Sequence, residues 1–425
     1  MNGPPLLAEI LPLSEALQRH GAEWRQLWRT APGAAVFSAP DHAAAWSATV
    51  ADGREHGRLG HGGHGGRVRG GAALVWRGPR LIGATALMQA TNWRGPALLP
   101  RIDYAPYDAD LAPGTRRLFP VRQLSTPVSW RAASIRPTLL TLPEDRRAVQ
   151  GALALLMARH RGIDQIVLPC EEGPEAAGWL RALAGAGLQP FLHRLDRPLL
   201  VLAHPQPFEA LLAAQSRNFR RRVQRARRAA TEAGLRFRVL SDPDAALAAL
   251  PRLAEVAAAS WKAEPGPSGR ITVPHAGPQA RFLQALLAGP AIAPVTALCE
   301  TPDGQAVAAL VALRHRDRLT GFATFHTGAL PEASPGLLLL TEVIDWAAGA
   351  GITRFDMNAT QDWLRPLCDQ ESTLCNVVAF LPTLRGRLYA RICRARSGGD
   401  PAGTPAEAPA GASASASAAD HWPVT

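Results

Sequence analysis

The residues best suited to chemistry gather around one turn. Ser334-Pro335-Gly336 opens an apolar helix expected over 335–349. Serine is a good N-cap and proline suits the first helical position. Gly336 would let a ligand approach the backbone, and the N–H groups of Gly336, Leu337 and Leu338 lack helical acceptors. Amides of that kind, helped by the helix dipole, bind a pyrophosphate; the plainer reading is a well-capped helix with no ligand. Just upstream, His326 ends an apolar strand, and Asp356 lies within the following strand, 352–357. Both are proton-transfer groups, and a carboxylate in an apolar strand is costly unless it is paired or used. The alternatives are a strand-end histidine with a satisfied hydrogen bond and a structural carboxylate held by backbone amides.

A second feature is basic. Leu212, Phe219, Val223, Ala226 and Ala230 recur at helical spacing and make one apolar face of a helix over 208–233. Arg217, Arg220, Arg221, Arg222, Arg225, Arg227 and Arg228 project elsewhere as a dense positive strip. It could grip cofactor phosphates, tRNA or an anionic acceptor, or be a solvated surface. His56, His61 and His64 sit in a glycine-rich stretch, 54–71, where flexible glycine prevents a preformed metal site, so no metal is expected. The five cysteines include no C-x-x-C spacing, which argues against a zinc site or a disulfide framework. No G-x-S-x-G, P-loop or Cys-His constellation is present, which disfavours a covalent hydrolase or a nucleotide triphosphatase.

The elements that position these residues are α/β. A chain of 425 residues with 47% hydrophobic and 19% charged residues can bury two or three cores. Its net charge of +11 is almost all arginine, Lys262 being the only lysine, and favours an anionic partner: a nucleotide cofactor, tRNA or a membrane surface. The N-terminus lacks the basic start and apolar core of a signal peptide and no run of about 18 apolar residues occurs, so a cytoplasmic protein is expected. A helix is expected over 14–30, a hairpin from 72–76 and 81–88 around Arg77-Gly78-Pro79-Arg80, a helix over 145–161 and strands near 164–169 and 190–202. Further on come helices at 244–262 and 279–288 and strands at 295–300, 305–314 and 318–326. Residues 158–169 and 347–358 match when slid by 189 positions, with Gly162 on Gly351 and Ile163 on Ile352. The shared order of hairpin, helix and strand points to a duplication.

Three stretches carry a resemblance to a family: 216–240, a basic helix running into a strand; 307–330, a pair of central strands; and 334–357, a helix followed by a strand. Their order resembles the GNAT acyltransferase superfamily in its tandem-domain, CelD-like branch, and more distantly the FemAB peptidoglycan aminoacyltransferases. The resemblance implies a mixed-sheet α/β fold with two tandem GNAT-like domains: a degenerate one over 1–197, an acyltransferase domain over 198–395, and a disordered Ala/Ser/Pro-rich tail over 396–425. It implies transfer of an acyl group, acetyl in the simplest case, from acyl-CoA to an amine or hydroxyl of a small molecule or of a cell-envelope or polysaccharide precursor. His326 and Asp356 would be the catalytic candidates; Ser334, Gly336, Leu337 and Leu338 would hold the cofactor. Where the family usually carries an Arg/Gln-x-x-Gly-x-Gly/Ala loop, this chain has Ala333-Ser334-Pro335-Gly336. Trp363 and Arg365 stand where the branch tends to carry a Tyr-Lys pair, and join Arg217 and Arg221 as candidates for binding an anion or the acceptor. Alternatives are an aminoacyl-tRNA donor and a non-catalytic module that holds an anionic partner. DNA is not expected among the partners.

Overall fold

Apolar alternation and turn residues set the first sheet, and the computed structural model shows how far they reach. It describes residues 4–51, 69–92, 121–127, 139–194, 198–260, 278–287, 289, 291–359 and 361–396. The expected tail beyond Arg396 and the histidines at 56, 61 and 64 lie outside these.

The first half runs β1 (Leu6–Pro12), α1 (Leu13–Thr30), α2 (Pro40–Trp46), β2 (Arg69–Arg77), β3 (Arg80–Asn92), β4 (Val121–Ser125) and β5 (Leu140–Thr141). It continues with α3 (Arg146–Ala158), β6 (Gln165–Glu171), α4 (Pro174–Gly185) and β7 (Phe191–Arg194). The hairpin of β2 and β3 closes through a two-residue loop whose Gly78 has φ +59°, a conformation glycine adopts freely.

The second half comprises β8 (Leu199–Ala203), α5 (Phe208–Ala213), α6 (Arg217–Glu232), β9 (Arg236–Leu240), α7 (Pro243–Ala248), α8 (Leu250–Ala258) and α9 (Pro278–Leu287). Then follow β10 (Ala293–Glu300), β11 (Ala306–His315), β12 (Arg318–His326), α10 (Pro335–Gly349) and β13 (Arg354–Asp356). The chain closes with β14 (Gln370–Ser372), β15 (Leu374–Phe380) and α11 (Leu384–Arg396).

Two mixed sheets result. One has the order β1-β2-β3-β4-β6-β15-β7, with β5 beside β3; the other is β14-β8-β13-β12-β11-β10-β9. Each contains one parallel pair, β4 with β6 and β12 with β13, and each pair holds for three residue steps. The last step is Ser125 opposite Val167 in the first sheet and Thr320 opposite Asp356 in the second. Val167 and Asp356 thus occupy equivalent places, as the 189-residue offset requires. Gly162 and Gly351, at the preceding helix ends, both take positive φ.

The division 198–395 needs correction at its end. β15 pairs antiparallel with β6 and β7, so the chain returns to the first sheet after β14. Cys375, Val377 and Ala379 complete the core beneath α3 and α4. Without β15, the apolar strand β6 would present unpaired backbone groups along an edge. The strand expected over 190–202 is in fact two strands in different sheets, β7 and β8. The arginine helix is broken where Ser216 caps α6, accepting the Phe219 N–H at 3.3 Å. The helix expected over 244–262 is α7 and α8, with Pro251 in the first turn of the second.

A third core joins the halves. Trp24, Trp28 and Trp46 pack with Phe282, Leu298, Val311 and Phe325, so one face of the second sheet lies against α1 and α2. Among the described residues no helix is long and apolar enough to cross a membrane, and no cluster of His, Cys, Asp and Glu could hold a metal ion.

Candidate active site where the parallel strands part

After Asp356 the two parallel strands separate. Met357 turns to β8, its N–H donating to Leu200 O at 3.1 Å, while Leu200 N–H donates to Ala359 O at 3.0 Å. β12 stays with β11 and carries a bulge at Phe322, because Val311 faces Ala323 and Ala312 faces Gly321. The apex of the opening is built by Gly321 and Asn358. A Cβ on Gly321 would stand 2.7 Å from Met357 O, so glycine alone lets the backbones meet. Asn358, in the left-handed region at φ +50°, bridges the gap with its Nδ2–H donating to Gly321 O at 3.1 Å. Ligands of open α/β sheets bind in the crevice beyond the carboxyl ends of strands, and this opening faces that way.

His326 ends β12 beside the start of α10. Its ring lies over Gly336, where a Cβ would be 3.3 Å from His326 Cδ2. The absent side chain therefore makes room for the imidazole, and Gly336 itself is buried. His326 Nδ1 lies 3.1 Å from Thr327 O. A carbonyl can only accept, so Nδ1 carries the proton and the lone pair sits on Nε2, the form a general base needs.

The turn before α10 differs from the expected cap. Ser334 is left-handed (φ +41°, ψ +58°) and makes no side-chain cap; its Oγ lies 3.4 Å from Pro331 O. The Leu337 and Leu338 N–H groups both donate to Ser334 O, at 3.0 and 3.2 Å. Two of the three amides assigned to an anion thus have an acceptor, leaving Gly336 N–H as the donor at this helix start. The reason lies in the short 3₁₀ turn Pro331–Ala333, which directs the Ser334 N–H to Pro331 O and its carbonyl into the helix.

Asp356 is buried and accepts the Asn358 N–H at 2.9 Å. It stands opposite Thr320, six residues before His326 along β12, or roughly 20 Å at the rise of a strand. The structure does not bring His326 and Asp356 together; Asp356 belongs to the apex and His326 to the mouth.

α6 buries Phe219, Val223, Ala226 and Ala230 against the second sheet. Arg220 caps the end of α5 by donating to Ala213 O and Gln215 O, and Arg227 pairs with Glu209 over the Phe208 ring. Arg217, Arg221, Arg225 and Arg228 are exposed and pair with no described residue. Trp363 is partly buried against the second core. Arg365 is bound to both Asp362 and Glu371, so its charge is already answered within the chain. Gly321 and Asn358 were not singled out from the sequence. A lone glycine inside a strand signals a bulge or a close backbone approach, and that signal was there to be read.

A mixed sheet with a single parallel pair, occurring twice in one chain, fits a tandem GNAT-type fold. Residues 217–363 match the family model of the acetyltransferase (GNAT) domain. Among solved structures, FemX is 12% identical, with 90% of this chain and 99% of FemX covered and a TM-score of 0.52. A tandem GNAT protein from the clavulanic acid biosynthesis pathway is 12% identical over 88% of this chain and 98% of its own, with a TM-score of 0.42. A conserved protein of unknown function from Bacteroides thetaiotaomicron is 8% identical over 89% and 100%, with a TM-score of 0.46. A comparison with curated proteins gives no significant match.

Proposed function

We propose that this protein transfers an acyl group from an acyl-CoA, acetyl-CoA in the simplest case, to an amine or hydroxyl of a small-molecule or cell-envelope precursor. The observation that carries this reading is the parting of β12 and β13 beyond Gly321 and Asn358, with His326 and the start of α10 at its mouth. The thioester supplies the activated acyl carbon. The Gly336 N–H and the N-terminus of α10 favour an anion at the mouth, while Ser334, Leu337 and Leu338 shape the turn through their mutual hydrogen bonds. His326, protonated at Nδ1, takes the acceptor's proton at Nε2. Asp356 orders the apex through Asn358 and acts on the slot's shape.

The first half is the degenerate one on this reading. Where the second half has Ser334-Pro335-Gly336, the same offset gives Asp145-Arg146-Arg147, without a glycine. An anion approaching the start of α3 would, on this reading, meet the Asp145 carboxylate, which is buried and paired with Arg77. A cytoplasmic location, where CoA thioesters are made, accords with the assignment.

A second reading, an aminoacyl-tRNA donor, is favoured by the unpaired strip of Arg217, Arg221, Arg225 and Arg228 on the helix that packs beside the 331–333 turn. Release of free thiol from acetyl-CoA in the presence of amine and hydroxyl acceptors separates the two. Thiol release that falls by about 10²- to 10⁴-fold in His326→Gln, with KM little changed, is the expected result. A protein inert towards acyl-CoA that binds charged tRNA would transfer the assignment to the second reading. Binding of neither would leave a non-catalytic module.

A further inference from the structure

The far side of the first half, away from the opening, carries a groove of about 790 Å³ between the edge strand β1 and the outer face of α3. Two of the five large apolar side chains exposed among the described residues line it, Leu6 at 41% and Leu155 at 46%, one from each wall. The middle of α3 is equally unusual. Gly151 costs the helix about 1 kcal/mol relative to alanine, and a Cβ built on it meets nothing within 4 Å. No contact among the described residues calls for a glycine at that place; a second backbone approaching closely would.

We propose that this face pairs with the same face of a second copy, α3 lying antiparallel to α3 about a two-fold axis between Gly151 and Ala152. The sequence of the groove is self-complementary about that point. The axis sets Glu144 against the partner's Arg159 and Arg159 against the partner's Glu144, opposite charges at both ends. It sets Ala148 against the partner's Leu155, so that each exposed leucine drops into a hollow left by small side chains. Gly151 faces the partner's Ala152 at the crossing, where the helices must approach most closely, and Arg147 lays its stem along the partner's Leu156. Every α3-side residue lining the groove finds its counterpart within the same set, as an isologous interface demands. Glu144 and Arg159 form no ion pair with any described residue, so both remain available to the partner. Each subunit's β1 flanks the crossing with Leu6 and Ala8, which covers apolar surface beside an edge strand. The active-site opening lies in the other half and is left unobstructed.

The buried area, two helices of 13 residues and their flanks, is on the order of 1,000 Å², which is the lower end of specific interfaces. A dimer with a micromolar dissociation constant is therefore expected. Sedimentation velocity on the full chain, from about 1 to 100 µM, reads it directly. Gly151→Arg should leave the melting temperature unchanged or raised, since its Cβ has open space and glycine is the poorer helix former, and should abolish the dimer. Glu144→Arg should weaken association roughly ten-fold by setting like charges together at both ends, and Glu144→Arg/Arg159→Glu should restore it. Recovery in the double variant identifies the antiparallel register, which a general loss of apolar attraction would not produce. A chain that stays monomeric throughout the range overturns the proposal, and so does a dimer indifferent to Gly151→Arg. Association seen in a chain ending at Arg396 but absent from the full chain would assign the groove to the protein's own C-terminal segment instead.

Discussion

His315 offers a direct test of how the two halves hold together. It ends β11 and stacks on Trp28 of α1 with ring centroids 3.5 Å apart and planes at 23°. The ring is 6% exposed, and its Nε2 is buried without a hydrogen-bond partner. Burial, together with the charges of Arg316 and Arg318, pushes the imidazole down to about 4. The neutral ring is therefore the native form. Between pH 6.5 and 4 the unfolded chain binds a proton that the native chain refuses, so stability rises with pH across that window. This contribution is complete above about 6.5 and is lost as pH falls through 4. At 1.36 kcal/mol per pH unit, a displacement of about 2.5 units corresponds to about 3 kcal/mol. The variant His315→Phe keeps an aromatic ring against Trp28 and cannot titrate. Urea unfolding of both proteins at pH 7.5 and pH 4 should show the native chain losing about 3 kcal/mol more than the variant. Equal losses would refute the claim that an uncharged His315 is locked between the halves.

Two further outcomes follow from the packing. Asp164 is fully enclosed and accepts from the Arg122 backbone N–H, the Arg122 guanidinium and the Thr383 hydroxyl, tying β4, β6 and the approach to α11 together; Asp164→Ala leaves these donors without their acceptor and should cost about 1–3 kcal/mol in denaturant unfolding. Gly321→Ala drives a methyl group into Met357 O, so it should destabilise the protein by about 1–3 kcal/mol and weaken acetyl-CoA binding at concentrations where the variant is still folded.

Local pattern made much of this structure legible. The apolar faces of α1 and α6 came from 3.6-residue spacing alone, and the β2–β3 hairpin from two apolar runs around Gly78-Pro79. The chain's own repeat matched the strands that become β6 and β13, and Val167 and Asp356 prove equivalent by register; the strand β4 that pairs with β6 was not read from the sequence. What escaped was long-range. Nothing in the sequence of β15 says that its partners are β6 and β7, because an apolar strand fits either sheet and only the vacancy between those two strands decides. Ser334 before Pro335 reads as an N-cap from residue preference, but the 3₁₀ turn ahead of it rotates the side chain away. Gly336 was read as space for a ligand, whereas the structure fills that space with the His326 ring. Arg365 could be seen to pair with Asp362 at i,i+3 spacing; its second carboxylate, Glu371, depends on how the chain folds back after the 3₁₀ turn Asp362–Leu367.

The central claim is that the opening between β12 and β13, and not its counterpart in the first half, receives an acyl-CoA. Isothermal titration of the full chain with acetyl-CoA tests it most directly. The account predicts saturable binding with one molecule per chain. The absence of binding at millimolar ligand, or a stoichiometry of two, would contradict it.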